Sequence, residues 1–309
     1  MDRAALQDII STGIYGTPPV ELAEAPAGSR QFSPLIPGSG KLEDQAEGSL
    51  TEMVLLAPPG TVERRYTTAL ALKALAPGGR LTVLAPKDKG GSRLAKELKG
   101  FGCEISEASR RHYRICTCEK PSHLTGIDEA IAEGAPRFDE TLGLWTQPGV
   151  FSWNRLDPGS ALLEQNLPAM SGKGADFGCG IGILARAILK APTVTQLIML
   201  DIDRRATEMA ARNIEDVRGE VHWTDVRSGL RLSGLDFIVM NPPFHDGGAE
   251  DQSLGQTFIR KAAEALRPGG LLWLVANRHL PYEGVLKPLF RRVTPKVEAA
   301  GYKIYEAQK

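Results

Sequence analysis

The sequence predicts an α/β chain in which one sheet-and-helix plan occurs twice, and three observations carry that reading. Ala74-Leu-Ala-Pro-Gly-Gly-Arg-Leu-Thr-Val-Leu-Ala-Pro-Lys87 aligns without a gap on Ala265-Leu-Arg-Pro-Gly-Gly-Leu-Leu-Trp-Leu-Val-Ala-Asn-Arg278. Upstream of each copy an apolar run ends in a proline pair, Val54-Leu-Leu-Ala-Pro-Pro-Gly60 and Val239-Met-Asn-Pro-Pro-Phe244. Downstream, Tyr113-Arg-Ile-Cys and Tyr302-Lys-Ile-Tyr close the two halves. Self-similarity over this much chain indicates a duplicated unit. Runs that are apolar throughout are those of strands covered on both faces, as in parallel sheets. Each Pro-Gly-Gly is expected to be a turn between a helix end and a buried strand. The halves are expected at residues 1–145 and 146–309, with 120–148 as the connection.

Composition bounds the function. A chain of 309 residues with 42% hydrophobic content has room for two domains of ordinary size. No stretch approaches the roughly 18 uncharged apolar residues of a membrane span. The start, Met1-Asp-Arg-Ala, brings charge early and has no apolar core behind it, so a cytoplasmic location is expected. Cys103, Cys116, Cys118 and Cys179 form neither a CxxC pair nor a cluster with histidines, so no metal site is expected and the thiols should stay reduced. Gly38-Ser-Gly-Lys41 lacks the earlier glycine and the following Ser or Thr of a phosphate loop. Net charge is zero, so a nucleic-acid partner would have to be met by local basic patches. The candidates are Lys87, Lys89, Arg93, Lys96 and Lys99, then Arg110-Arg111-His112-Tyr113-Arg114, then Arg291-Arg292 with Lys296.

The chemistry is written into the second half. Asp236-Phe-Ile-Val-Met240 reads as a buried parallel strand and Asn241-Pro242-Pro243-Phe244 follows it directly. Ligands of open α/β sheets bind at this end of the strands. An exocyclic amino group is a poor nucleophile, because its lone pair is delocalised into the neighbouring π system. The Asn241 side-chain oxygen and the Pro242 carbonyl can each accept one of its N–H groups, which aims the lone pair at an electrophile. Phe244 offers a ring on which a planar base can stack. In the first half Ala57 and Gly60 stand in the places of Asn241 and Phe244, so that copy is expected to be inactive.

Ala175-Asp-Phe-Gly-Cys-Gly-Ile-Gly-Ile-Leu-Ala-Arg-Ala-Ile-Leu189 reads as a strand, a glycine turn and a helix. Gly178, Gly180 and Gly182 allow a ligand to approach the backbone closely. Leu197-Ile-Met-Leu200 is a second strand, ending in Asp201, whose carboxylate can accept both hydroxyls of a ribose; Asp203 competes for that role. Nicotinamide-dependent dehydrogenases share such spacing. Asp176 separates the two readings, because a carboxylate there would repel a pyrophosphate but meet the ammonium of an amino-acid moiety. The cofactor implied is S-adenosylmethionine, with Asp225 near its adenine; a capping role for Asp225 is the alternative. Residues 1–50 contain no comparable glycine turn.

Together these residues resemble the class I S-adenosylmethionine-dependent methyltransferases, in particular the bacterial ribosomal RNA guanine-N2 methyltransferases of the small subunit, with the large-subunit enzymes close behind. Gly149-Val-Phe-Ser152, Leu156-Asp-Pro-Gly-Ser160, Asp176 to Gly182, Asn241-Pro-Pro-Phe-His-Asp-Gly247, Val275-Ala-Asn and Leu280-Pro-Tyr282 look like that family's blocks in its order. Pro158 departs from the pattern. The resemblance implies two tandem Rossmann-like methyltransferase domains, the N-terminal one degenerate and used for RNA binding and folding. It also implies ribosomal RNA or the small subunit as partner; a monomer is expected. An adenine-N6 or protein-glutamine methyltransferase would use the same tetrad, and a non-catalytic RNA-binding or assembly protein is the alternative of another class.

Overall fold

The protein is described by a computed structural model covering residues 11–228, 231–243, 245–246, 249–250 and 252–309. It divides into two compact units, Met1–Ala135 and Pro136–Lys309.

The first unit runs β1 (Ser11–Tyr15), β2 (Arg30–Phe32), β3 (Leu50–Leu56), α1 (Thr61–Ala74), β4 (Leu75–Pro86), α2 (Leu94–Gly100), β5 (Ile105–Arg110), β6 (Tyr113–Glu119) and α3 (Ile127–Gly134). Its strands form one sheet in the order β2-β1-β3-β4-β6-β5. Pairing is parallel from β2 through β4 and antiparallel at β6 and β5.

The second unit opens with a hairpin of β7 (Arg137–Asp139) and β8 (Leu144–Thr146), then α4 (Pro158–Asn166), β9 (Gly172–Phe177), α5 (Ile183–Ile188), β10 (Val194–Asp201), α6 (Arg204–Asn213) and β11 (Gly219–Trp223). It continues through β12 (Leu235–Met240), the short pair β13 (His245–Asp246) and β14 (Ala249–Glu250), α7 (Gln252–Ala265), β15 (Leu266–Asn277), α8 (Glu283–Leu289), β16 (Arg292–Ala299) and β17 (Tyr302–Gln308). The main sheet has the order β11-β10-β9-β12-β15-β17-β16. From β11 to β15 it is parallel, and β17 and β16 are antiparallel additions.

The two sheets share one order once the outer β11 is set aside. In the second, β9 lies between β10 and β12, so the chain winds one way from β9 to β11 and then restarts on the other side at β12. That reversal opens a crevice at the carboxyl ends of β9 and β12. The apolar strands fill two layers by simple alternation. Phe237 and Val239 pack with Met199, Trp273 and Leu163 on one face, whereas Ile238 and Met240 pack with Leu200, Leu274 and Ile259 on the other.

Two sequence expectations change. Pro-Gly-Gly is not a turn preceding a strand in either copy. β4 pairs with β3 at Leu50↔Leu75 and next at Glu52↔Arg80, and β15 pairs with β12 at Leu235↔Leu266 and next at Phe237↔Leu271. The prolyl-glycine segment is thus a bulge within the strand, turned by Gly78 at φ 74° and Gly269 at φ 80°. The expected boundary at 145 and the connection at 120–148 also shift, because that stretch carries structure of its own. Gly134 of α3 packs so closely on Tyr66 that an added Cβ would stand 2.3 Å from the tyrosine Cβ and 2.4 Å from its ring, which ties α3 to the first unit. The β8 backbone at Trp145 both donates to and accepts from the Asn213 carboxamide of α6, at 2.7 and 2.9 Å, which ties the β7–β8 hairpin to the second.

One charged side chain lies in the interior of the first unit. Arg64, buried on α1, holds Glu97 of α2 through both carboxylate oxygens at 2.8 and 2.7 Å. Its Nη1 donates to the carbonyls of Pro59 at 2.7 Å and Pro58 at 3.3 Å. Gly90 leaves the necessary room, since a Cβ there would come within 2.2 Å of the guanidinium. Removing one partner of such a pair leaves the other charge buried and uncompensated. Arg64→Ala should therefore cost about 3–5 kcal/mol in urea unfolding followed in the full chain; a loss below about 1 kcal/mol, the range of exposed pairs, would contradict this description.

Candidate active site

Strand pairing assembles the site before any side chain is considered. Val239 sits beside Asp176 and Met240 beside Phe177, while Leu200 lies on the other flank of Phe177. The next residues, Asn241 and Gly178 just past their strands and Asp201 as the last residue of β10, therefore lie together at the carboxyl edge of the sheet.

Asp176 is the most telling of them. It is fully buried, and neither carboxylate oxygen has a hydrogen-bond partner. Burial pushes its carboxyl up to about 8, and the nearby Asp201 charge adds to the rise; only the Ala185 amide works in the opposite direction, without reaching hydrogen-bonding geometry. An orphaned carboxylate in the interior costs free energy unless a cation comes to meet it. A cationic ligand group is what this position fits.

The glycine turn folds back on β10. Gly178 and Cys179 both donate to the Leu200 carbonyl, at 2.8 and 3.0 Å. Gly180, at φ 55°, donates its N–H to Asp201 Oδ2 at 2.8 Å, and open space surrounds the place where a Cβ would stand. Gly182, at φ 90°, begins α5. Asp201 Oδ1 accepts from the Asp203 amide at 2.8 Å. Burial raises the Asp201 carboxyl to about 6 against the pull of these amides, and each of its oxygens keeps a further lone pair for a hydroxyl. Asp203 is otherwise engaged: it caps α6 and grips Arg205 at 2.8 Å. The buried Cys179 thiol is pushed well up by burial and by both carboxylates, which leaves it without thiolate character.

Asp225 lies just past β11, where Thr224 donates to the Asp201 carbonyl at 2.9 Å. Its carboxylate caps its own turn through the Arg227 amide at 2.8 Å and pairs with the Arg227 guanidinium at 2.9 Å. It closes a turn and caps no helix, because the next element after β11 among the described residues is β12.

Asn241 is partly exposed and Pro242 is buried behind it. Phe244 lies outside the described residues, as does Gly247. The Asn241 carboxamide nitrogen donates to Asp157 Oδ2 and to Ser160 Oγ, each at 2.9 Å. These two partners were visible in the sequence only as part of a block, Leu156-Asp-Pro-Gly-Ser160, with no role attached. Pro158 is no disturbance there, because it occupies the first turn of α4, where its missing N–H costs nothing. Ahead of this block, Val150 packs with Ile181 of the glycine turn and Met209 of α6, so the segment 150–160 reaches from the cofactor turn to Asn241.

The corresponding edge of the first unit is built differently. No helix follows β1 among the described residues before β2. Ala57 carries no amide, and the Pro58 and Pro59 carbonyls are taken by Arg64. Beside them, Lys87 donates its amide to the His112 carbonyl at 2.9 Å, bringing the Lys87–Lys89 turn to the β5–β6 hairpin. Arg111 and His112 form that hairpin with φ of 45° and 65°, where Asn and Gly are the usual residues. Arg111 pairs with Glu21 and Arg114 with Glu107, at 2.7 and 3.0 Å. In the second unit, Arg292 and Lys296 face Glu306 at 3.9 and 3.7 Å.

Comparisons with known proteins agree with this geometry. The model of the methyltransferase small domain matches residues 141–306. A ribosomal RNA small subunit methyltransferase C from Pseudomonas aeruginosa (strain LESB58) is 34% identical, covering 90% of this chain and 86% of that protein. The protein of the same description from Hahella chejuensis (strain KCTC 2396) is 39% identical, covering 85% of this chain and 78% of that one. The chain belongs to the ribosomal RNA small subunit methyltransferase C family. A solved member, the T. thermophilus 16S rRNA guanine-N2 methyltransferase in complex with AdoMet and guanosine, shares the fold. Its TM-score is 0.78 at 24% identity, over 97% of this chain and 88% of that one. Family membership thus covers both units, whereas the family model covers the second.

The Asp176 carboxyl gives the site a pH signature. Its folded value, about 8, lies above the ordinary range near 4, so between these pH values the native state holds a proton that the unfolded chain has lost. Stability should therefore fall as pH rises from about 4 to about 8, the opposite of a paired carboxylate. Thermal unfolding of wild type against Asp176→Asn should show the steeper decline in wild type; parallel profiles would refute the orphaned carboxylate.

Proposed function

We propose that the second unit holds S-adenosylmethionine at the carboxyl ends of β9 and β10 and methylates the exocyclic N2 of a guanine in 16S ribosomal RNA presented at Asn241. The observation that carries the reading is the pairing of β9 with β12. It brings an orphaned buried carboxylate and, two residues beyond its partner Val239, a carboxamide to one topological switch point.

The residues present fit the cofactor. Asp176 meets its ammonium, Gly178, Gly180 and Gly182 let it lie against the backbone, Asp201 receives the ribose hydroxyls, and Asp225 is placed near the adenine. When bound, S-adenosylmethionine supplies a methyl carbon made electrophilic by the sulfonium. Everything else is positioning. A guanine is turned out of its RNA stack at a cost of a few kcal/mol, and stacking on Phe244 returns roughly 1–3 kcal/mol. Asn241 and the Pro242 carbonyl each accept one N–H of the 2-amino group, which directs the nitrogen lone pair along the line of attack, while Pro243 stiffens the segment. Orientation of this kind supplies the larger part of the rate. Once nitrogen is cationic its proton leaves readily, so no strong base is required.

The first unit is read as the degenerate copy. Ala57 and Gly60 supply neither acceptor nor ring, and the proline carbonyls that would receive an amino group receive Arg64 instead. Its carboxyl edge, with Lys87, Lys89, Arg110 and Arg111, is assigned to the RNA backbone. Such a substrate places the enzyme in the cytoplasm.

Asn241→Ala should lower kcat by roughly 10²-fold or more, while S-adenosylmethionine still raises the melting temperature of the variant. Loss of both together would make Asn241 a structural residue and remove it from the mechanism.

A further inference from the structure

We infer that Asp157 and Ser160 are positioning residues that decide which way round the Asn241 carboxamide sits, and so make it an acceptor toward the amino group being methylated. The inference rests on the function proposed above.

A carboxamide presents an oxygen on one side and two N–H donors on the other, and its shape is nearly the same either way. Only its neighbours choose between the two orientations. Asp157 Oδ2 and Ser160 Oγ both lie 2.9 Å from the same terminal atom of Asn241. An ionised carboxylate has no proton to give, so the atom facing it must be the nitrogen. Its two N–H groups are then satisfied, one by each partner, and the oxygen is the end that remains for a substrate. Reversal would set two acceptors 2.9 Å apart at Asp157 and turn the NH₂ toward an amino group that itself donates. Both contacts would become repulsive at once. A bare Asn in this place is a group of undefined polarity; with Asp157 it is a fixed acceptor.

The fixing residues are themselves held on two sides. Asp157 is the N-cap of α4, and the same Oδ2 accepts the Ser160 N–H at 2.7 Å. Pro158 presets the first turn. Gly159 lies flat against Tyr302 of β17, where a Cβ would come within 2.8 Å of the ring. Burial, and after it the Asp157 charge, pushes the hydroxyl of that tyrosine up from its ordinary value. The capping turn is therefore pressed on the sheet through Gly159 while its cap reaches Asn241. In the first unit, where the amide is replaced by Ala57, the carbonyls of the adjoining prolines are closed off by Arg64 instead.

The test uses the full chain, S-adenosylmethionine and unmodified 16S ribosomal RNA or small subunits, with nucleoside analysis of the product. Asp157→Ser keeps a good N-cap for α4 but is too short to serve Asn241 as well. It should lower kcat about 10- to 100-fold with KM for S-adenosylmethionine and the cofactor-induced rise in melting temperature unchanged. Asp157→Ser with Ser160→Ala should fall to the level of Asn241→Ala. Asp157→Asn should recover most of the activity, because the Ser160 N–H demands an oxygen at the Oδ2 place and that oxygen can accept Asn241 as before. Wild-type kcat in Asp157→Ser would overturn the inference, and so would a loss that extends equally to cofactor binding, which would make Asp157 a general support of the fold. Failure of the wild-type enzyme to form N2-methylguanosine would overturn the functional reading together with the inference built on it.

Discussion

A carboxylate can only accept hydrogen bonds, and at the end of β12 that restriction propagates through the whole site. Asp157 must cap α4, so its oxygen is aimed at the Ser160 amide; the same oxygen must then take a donor from Asn241. The carboxamide has one orientation left. What reaches the crevice is an acceptor whose position depends on a helix cap, a glycine pressed on Tyr302 and the pairing of β12 with β9. The proposed chemistry, which amounts to holding one amino group at the right angle, needs this kind of over-determination, because small misplacements of a reacting group carry large rate costs.

The cofactor side obeys a complementary rule. Asp176 is buried with no partner, a situation that stable cores avoid. The sheet tolerates it because β9 is held on both flanks by long parallel ladders, so the strand cannot relax to expose the side chain. The neighbouring Asp201 is treated more gently, with two backbone amides on its oxygens. One carboxylate is thus kept in want of a positive charge, while the other is kept solvated by the turn.

The two units show how one topology supports opposite outcomes. Both place a Pro-Pro segment at the carboxyl end of the strand beyond the switch point, and both carry the same Pro-Gly-Gly bulge in the next strand. In the second the segment faces a crevice through Asn241. In the first the proline carbonyls are satisfied internally by Arg64, whose charge is balanced by Glu97. The duplication and these substitutions were legible in the sequence, as were the strands, the glycine turn and Asp176, since each follows from local pattern. Asp157 and Ser160 were not, because their role depends on contacts across 84 and 81 positions of chain that no local periodicity reports. The bulges escaped for a related reason: Pro-Gly-Gly is turn chemistry, and only strand register shows that it turns within a strand. Arg64, too, reads as an ordinary helix-surface residue until the fold buries it. The segment around 120–148 reads as a connection because Gly and Pro punctuate it, although α3 and the β7–β8 hairpin each bury a face.

The most direct test of the account is transfer of labelled methyl from S-adenosylmethionine to unmodified small subunits, free 16S RNA and DNA, followed by digestion to nucleosides. The account predicts label in N2-methylguanosine from 16S RNA and none from DNA. Label in N6-methyladenosine, or no label in nucleic acid while the protein still binds S-adenosylmethionine, would contradict it.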